Sequence, residues 1–177
     1  MTMSDRIAVM NKGRYEQLGD PESLYERPST RFVAGFLGVS NLLPGAVQGS
    51  DGRYSTVKLA DDTSVRAPSA LVGGKEQVSI GVRPEKIRLR AATDGAGTPD
   101  GHNQLRGVVR DASYLGVSTQ YQIDARGGAR FTVYEQNVER ATRSELWAPG
   151  EEVVLTWSPD HSFVVADPPA STAGAPA

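Results

Sequence analysis

The sequence predicts a mainly β protein, in which a β hairpin and two short helices precede a longer region of strands. Two observations support this prediction. Apolar and polar residues alternate with a period of two in several short runs, among them 119–124 and 153–157. One strand-like pattern also recurs in both halves of the chain, at 76–85 and at 151–160. Several short strands separated by turns are typical of a small barrel or sandwich.

The hairpin is predicted at the start of the chain. Residues 7–10 are apolar without interruption, and residues 14–18 follow a short turn. Gly13 supplies the positive φ that a tight hairpin turn requires. A strand that is apolar on both faces is usually buried on both faces. We therefore expect residues 7–10 to need a covering layer, a second copy of the chain, or else to be mobile.

Two helices are predicted to follow the hairpin. Asp20-Pro21-Glu22 offers an N-cap, a proline in the first turn and an acid near the positive helix end. Pro28 disfavours helical geometry in the residue before it, so this helix is expected to end near Arg27. Ser29 or Thr30 is expected to cap the second helix. One apolar face and a terminal glycine are predicted there: Phe32, Val33, Phe36 and Leu37, with Gly38 as the stop.

The internal repeat predicts two related β halves. Residues 76–85 and 151–160 both read as an acid, alternating apolar residues, and then a proline followed by an acid. Each segment precedes another short apolar run, at 87–89 and 163–165. We therefore predict halves at 42–90 and 104–166.

The remaining segments are predicted from their composition. Glycine, proline and aspartate are concentrated between the two halves, which predicts a linker over 91–103. The end of the chain, 167–177, is rich in proline and alanine with a single charge, and we expect it to be disordered.

Composition narrows the possible functions. The 177-residue chain has no cysteine, which excludes disulfide scaffolds, thiolate zinc sites and cysteine nucleophiles. Lysine and arginine number 19 against 21 acidic residues, for a net charge of −2, so we expect no nucleic-acid partner. No apolar run approaches the roughly 20 residues that span a bilayer.

No catalytic, cofactor-binding or metal-binding residue is predicted. A phosphate-binding loop requires Gly-x-x-x-x-Gly-Lys-Ser/Thr, but around Gly74-Lys75 the flanking positions are Ser69 and Glu76. A nucleophile elbow of the form Gly-x-Ser-x-Gly is also missing. His102 and His161 stand far apart in turn-like surroundings, which favours solvated side chains over metal ligands.

Arg83 and Glu85 are candidate contacts on either side of Pro84. The structural interpretation is an edge-strand corner that an ion pair stabilises. The functional interpretation is a contact with an anion or with a partner protein. The sequence favours the first interpretation and leaves the second open.

Several segments together resemble a known family. Near the N-terminus they resemble the end of an ABC-importer ATPase domain: 5–14, 19–21, 24–28, 32–38 and Asn41. Further along they resemble the TOBE regulatory domain of spermidine/putrescine-type importer subunits: 81–85, 107–116 and 119–121. The resemblance implies that residues 1–40 end the ATPase domain. It also implies that 42–166 form a tandem OB-like TOBE region.

The resemblance also implies a role. In this family the TOBE domain regulates the ATPase and packs against its copy in a second subunit. We therefore expect a homodimer that works with permease subunits, in the cytoplasm on the inner face of the membrane. ATP and Mg²⁺ would act in the longer relatives, whose nucleotide-binding motifs would lie before residue 1. We expect the present chain not to hydrolyse ATP.

A second function remains open. Some TOBE domains bind oxyanions such as molybdate or sulfate through polar groups at subunit interfaces. Hydroxyl donors occur here at Ser113, Ser118 and Thr119, next to Tyr114. These four residues are therefore candidate contacts for a ligand or a partner. Binding of such a ligand would raise the melting temperature.

Overall fold

The computed structural model describes residues 4–92, 101–137 and 146–165. In this part of the chain the protein is mainly β, with few short helices, as the sequence predicts. The predicted linker lies mostly outside the described residues, and the predicted disordered tail lies wholly outside them.

The N-terminal hairpin forms with only one face buried. Strands β1 (Ile7–Asn11) and β2 (Arg14–Gly19) pair antiparallel, and Lys12 and Gly13 between them both have positive φ. Val9 is 1% exposed, whereas Met10 is 52% exposed. A covering layer therefore exists for one face of β1, where Val9 packs with Leu24 and Val33, and the described residues provide none for Met10.

Two short helices follow, each with the predicted cap. Helix α1 (Pro21–Glu26) begins after Asp20, whose Oδ1 accepts a hydrogen bond of 2.8 Å from the backbone N–H of Ser23. Helix α2 (Arg31–Phe36) begins after Thr30, whose hydroxyl accepts from the N–H of Val33. These bonds satisfy donors that have no partner inside the helix.

The predicted single apolar face of α2 is divided in the structure. Val33 is buried and packs with Val9 and Leu24, and Leu37 lies beside this small cluster. Phe32 and Phe36 are exposed and stack on each other, with ring centroids 6.1 Å apart. Only one side of the helix therefore contributes to a core.

The remaining strands form two five-stranded antiparallel sheets. The first sheet has the order β12-β6-β3-β4-β5, and the second has the order β10-β9-β8-β11-β7. The elements are β3 (Asn41–Ser50), β4 (Tyr54–Leu59), β5 (Ser64–Pro68), α3 (Ser69–Val72), β6 (Gln77–Val82), β7 (Arg88–Ala91), β8 (Asn103–Tyr114), β9 (Ser118–Ala125), β10 (Arg130–Gln136), β11 (Glu152–Trp157) and β12 (Ser162–Val165).

The two sheets exchange one strand each. After β6 the chain turns through the 3₁₀ turn Pro84–Lys86 and enters the second sheet as β7, which pairs with β11. After β11 it turns through Pro159–His161 and enters the first sheet as β12, which pairs with β6. The two repeated proline segments are thus the two crossing points between the sheets.

Two buried asparagines connect the sheets reciprocally. Asn41, at the start of β3, donates 2.9 Å to the carbonyl of Thr132 on β10 and accepts 2.7 Å from its N–H. Asn103, at the start of β8, makes the same pair of bonds with the backbone of Arg66 on β5, at 2.9 and 2.7 Å. Each asparagine therefore binds the edge region of the opposite sheet.

A single hydrophobic core serves both sheets. Val57 and Ile80 from the first sheet belong to the same buried cluster as Tyr121, Phe131 and Trp157 from the second. The three aromatic side chains are at most 1% exposed, so they are core residues. Neither sheet has a separate core of comparable size among the described residues.

Candidate functional site

Arg83 holds the N-terminal helices against the first sheet. Its side chain is only 1% exposed, although arginine is rarely buried. Nη2 donates to the carbonyl of Tyr25 at 2.7 Å, and Nη1 donates to the carbonyl of Ala34 at 3.1 Å and to Oγ of Ser40 at 2.6 Å. One guanidinium therefore binds the C-terminal parts of both α1 and α2.

Aromatic rings enclose the same guanidinium. Its central carbon lies 4.0 Å from the ring centroid of Tyr25 and 5.4 Å from that of Phe163. The hydroxyl of Tyr25 donates to Oε1 of Glu85 at 2.8 Å. Arg83 and Glu85 are thus linked through Tyr25, and the direct ion pair expected between them is not among the ion pairs of the described residues.

Burial shifts the pKa values of both Arg83 and Tyr25. Desolvation lowers the pKa of Arg83, and the nearby Glu85 and Glu26 oppose this change. Burial raises the pKa of Tyr25 to about 12, and the hydrogen bond to Glu85 contributes in the same direction. Tyr25 is therefore a neutral donor at neutral pH, and it keeps its bond to the carboxylate.

Further contacts extend this junction. Lys86, in the 3₁₀ turn, forms an ion pair of 3.1 Å with Glu26 of α1. Arg31 of α2 donates to the hydroxyl of Ser79 on β6. Ala34 packs with Phe163 of β12. We use the name helix junction for the contacts of Arg83, Glu85 and Lys86 with α1 and α2.

The other four predicted contact residues lie together in the β8–β9 hairpin. Ser113 donates to Oδ2 of Asp111 at 3.1 Å, and Tyr114 is 64% exposed. Ser118 is half-buried on β9, and Thr119 is buried. The hydroxyl of Thr119 is already bound, so of these four side chains the most accessible is that of Tyr114.

Asn137 fixes the turn of this hairpin. Its Oδ1 accepts from the hydroxyl of Thr119 at 2.8 Å, and its Nδ2 donates to the carbonyl of Gly116 at 2.7 Å. Its backbone N–H donates to the carbonyl of Val117 at 3.0 Å. The turn presents Leu115 and Val117 to solvent, with 57% and 82% of each residue exposed. We call residues 114–117 the apolar tip.

Some of these residues were not predicted from the sequence. Tyr25 lies in segment 24–28, which carries the family resemblance, but nothing there assigns it a contact, and Asn137 carries no motif. Asn41 and Asn103 could have been found from the internal repeat. Each stands four residues before the glycine that opens its half, at Gly45 and Gly107.

The described residues contain no group of three or more histidine, aspartate or glutamate side chains that could hold a metal ion. No helix among them is long and apolar enough to cross a membrane.

Comparison with known proteins identifies related families. Residues 80–165 match the TOBE domain family. Along the chain there is 43% identity to the spermidine/putrescine import ATP-binding protein PotA of Thermobifida fusca, covering 93% of this chain and 41% of that protein. The PotA protein of Ruegeria pomeroyi is 36% identical, covering 94% and 43%. The chain thus spans about two fifths of the length of these curated relatives.

Two more distant likenesses complete the comparison. An uncharacterized ABC transporter ATP-binding protein of Escherichia coli, YdcT, is 34% identical over 90% of this chain and 39% of its own length. The cytoplasmic molybdate-binding protein ModG, solved with molybdate bound, superposes with a TM-score of 0.60 at 15% identity. That match covers 72% of this chain and 96% of ModG and shows a shared fold.

Proposed function

Because the chain corresponds to the C-terminal region of spermidine/putrescine-type ABC-importer ATP-binding subunits and carries a TOBE domain, we propose that it regulates such a subunit. In this proposal the strands from β3 onward form the regulatory body. The N-terminal hairpin and helices are the part that a nucleotide-binding region would move.

The helix junction is the observation that carries this proposal. Arg83 directly follows β6 of the first sheet, but two of its hydrogen-bond acceptors are carbonyls of α1 and α2. A buried guanidinium held by several acceptors fixes two elements in one orientation. The connection between the helices and the first sheet is therefore rigid. A displacement of the helices would move the sheets with them.

The chain does not itself hydrolyse ATP in this proposal. The phosphate-binding loop that would cradle the nucleotide and the hydroxyl that would bind Mg²⁺ have no counterpart in its sequence. The chain acts in the cytoplasm as a homodimer, at the membrane face of a polyamine-type importer with its permease subunits. These partners and this substrate class belong to the proposal, because the chain spans two fifths of its relatives.

A thermal-shift screen tests this role against the ligand-binding alternative. The purified chain is heated with ATP and Mg²⁺, spermidine, putrescine, sulfate or molybdate, and ATP hydrolysis is measured in parallel. We expect no saturable change in melting temperature and no hydrolysis. A ligand at 100 times its Kd would stabilise the fold by about 2.7 kcal/mol, which such a screen detects.

Each other outcome has a defined meaning. A saturable shift with molybdate or sulfate would make the chain an oxyanion-binding module. A shift with a polyamine would make it a sensor of the transported substrate class. A shift with ATP and Mg²⁺ would contradict the proposal that this chain lacks the nucleotide-binding parts.

A further inference from the structure

The outward face of the second sheet carries an excess of positive charge. Side chains alternate along its strands between the core and this face. Six arginines lie on this side, on the strands or on the turn after β9: Arg88, Arg90, Arg106, Arg110, Arg126 and Arg130. The described residues place three carboxylates there, those of Asp111, Asp124 and Glu152. The chain as a whole has a net charge of −2, so its charge is distributed unevenly. We call this surface the arginine face.

Three of these arginines form a row across the strands. Arg90 on β7 and Arg106 on β8 are both direct cross-strand neighbours of Val154 on β11. Arg126 begins the turn after β9, and together with Arg106 it lines a surface depression of about 210 Å³. Like charges on neighbouring strands repel each other, which destabilises a sheet. We call Arg90, Arg106 and Arg126 the arginine row.

The carboxylates of this face leave the arginine row uncompensated. Asp124 forms its ion pairs with Arg110 at 3.7 Å and with Arg130 at 3.4 Å. Glu152 lines the depression, but none of the ion pairs of the described residues includes it or a member of the row. Nε of Arg90 is buried and has no hydrogen-bond partner among these residues. The described chain therefore holds three guanidinium groups together without an anion to pair with them.

Repulsion within the arginine row is relieved when anionic groups bind to it. A guanidinium binds a carboxylate or a phosphate through two parallel hydrogen bonds, which are about twice as strong as those between neutral groups. An anionic partner would form these bonds and would also compensate the positive potential of the row. The complement of this surface is therefore a set of anionic groups that are spaced like the arginines.

The composition of the arginine face favours a protein as the source of these anionic groups. Protein interfaces are enriched in arginine and depleted in lysine, whereas an anionic membrane attracts both cations. Residues 87–177 contain eight arginines and no lysine. Val108, which is 39% exposed, and the half-buried Val154 lie among the arginines and offer apolar contacts. Arginines with apolar positions between them are the composition of a protein-binding surface.

We propose that the arginine face binds an acidic segment of a partner protein, whose carboxylates pair with the arginine row. The row crosses four neighbouring strands, a span of about 14 Å at about 4.8 Å per strand. An extended segment covers this span with about five residues, and its alternate side chains face the sheet. This inference goes beyond the proposed function, whose partners are permease subunits and a second copy, and either can fail without the other.

Poly-L-glutamate is the probe for this surface, and its Kd is measured by calorimetry at an ionic strength of about 0.15 M. Arg106→Gln combined with Arg126→Gln removes two members of the arginine row. Arg14→Gln combined with Lys75→Gln is the matched control, because these exposed cations lie outside the second sheet and form no ion pair among the described residues. We expect the Kd to rise roughly tenfold or more in the first variant and less than about twofold in the control.

The melting temperature of the Arg106→Gln, Arg126→Gln variant should not fall, because the row gives the fold no ion pair to lose. A lower melting temperature would show that the row stabilises the fold itself and would overturn the inference. No binding by the natural chain, or equal weakening in both double variants, would also overturn it. So would tighter binding of phosphatidylserine vesicles or of oligodeoxythymidylate than of poly-L-glutamate. Sedimentation that changes in this variant alone would make the occupant a second copy, against the inference.

Discussion

At the residue scale, Arg83 is a buried charge without a direct carboxylate partner in the described chain. Its compensation comes from carbonyls at the ends of two helices and from aromatic faces. Helix C-termini carry partial negative charge, which favours a cation there. A planar guanidinium can reach several such acceptors at once and stack on a ring, whereas the compact ammonium of lysine cannot.

Replacing Arg83 should weaken the whole fold. Arg83→Met leaves buried carbonyls without a donor, so we expect a loss of about 3 kcal/mol in the free energy of unfolding, measured by urea denaturation. Arg83→Lys should recover only part of that loss. Arg130→Met is the control, because its exposed pair with Asp124 at 3.4 Å should contribute less than about 1 kcal/mol. Equal effects at the two positions would contradict this account of the helix junction.

Tyr25 should give the junction a pH limit. Its pKa is about 12 in the folded chain against an ordinary 10, so the folded state retains its proton longer than the unfolded state. Its contribution to stability is therefore complete below pH 10 and is lost as the pH rises towards 12. The urea midpoint of the natural chain should fall more steeply over this interval than that of Tyr25→Phe. Parallel curves would contradict the raised pKa of Tyr25, to which burial contributes most and the bond to Glu85 less.

At the element scale, the start of each half depends on a close approach of backbones. A Cβ on Gly45 would lie 2.6 Å from the carbonyl oxygen of Lys58. A Cβ on Gly107 would lie 2.6 Å from Cγ2 of Ile123 and 3.0 Å from the carbonyl oxygen of Asp124. Both glycines therefore let β3 and β8 approach the next strand at equivalent positions.

Alanine substitutions distinguish a glycine that is needed for close backbone packing from one that only adds conformational freedom. Gly107→Ala should destabilise the fold by about 1–3 kcal/mol, because the neighbouring backbone must move. Gly35→Ala, inside α2 with no atom within 4 Å of its added Cβ, should instead stabilise it by about 0.5–1 kcal/mol. Thermal or urea unfolding of both variants measures the two signs. Stabilisation by Gly107→Ala would contradict the tight packing of β8 on β9.

The elements were largely predictable from local chemistry, but their connections were not. The caps of α1 and α2 followed from Asp20 and Thr30, because a side-chain oxygen before a helix acts within one turn. The division of α2 into a buried and an exposed side depended on which neighbours Phe32 and Phe36 meet. The position of Arg83 was equally non-local, since its acceptors lie 43–58 positions away. The sequence singled out Ser113, Tyr114, Ser118 and Thr119 as candidate contacts, but it did not predict the hairpin that brings them together.

At the scale of the whole molecule, the two halves are interdependent. Strand β7 follows the first half but pairs in the second sheet, and β12 follows the second half but pairs in the first. The reciprocal bonds of Asn41 and Asn103 join the same two sheets, and one core lies between them. Each half taken alone would therefore lose a strand and expose the core that the other half covers.

Dividing the chain between the halves tests this interdependence. The two pieces are residues 1–92 and 101–177, produced separately and then mixed. We expect neither piece to unfold cooperatively alone, because the first lacks β12 beside β6 and the second lacks β7 beside β11. The mixture should form a one-to-one complex with a single cooperative transition, measured by circular dichroism and sedimentation.

The asparagine contacts provide the control for that complex. Asn103→Leu in the second piece removes both hydrogen bonds to the half-buried backbone of Arg66 and leaves its carbonyl only the 3.5 Å bond from Ser162, at a cost of about 2 kcal/mol. Because 1.4 kcal/mol is a tenfold change in an equilibrium constant, assembly of the two pieces should weaken by more than tenfold. Cooperative folding of residues 101–177 alone would contradict the shared core. The second sheet would then be an independent domain, and the exchanged strand β7 would be only an addition to its edge.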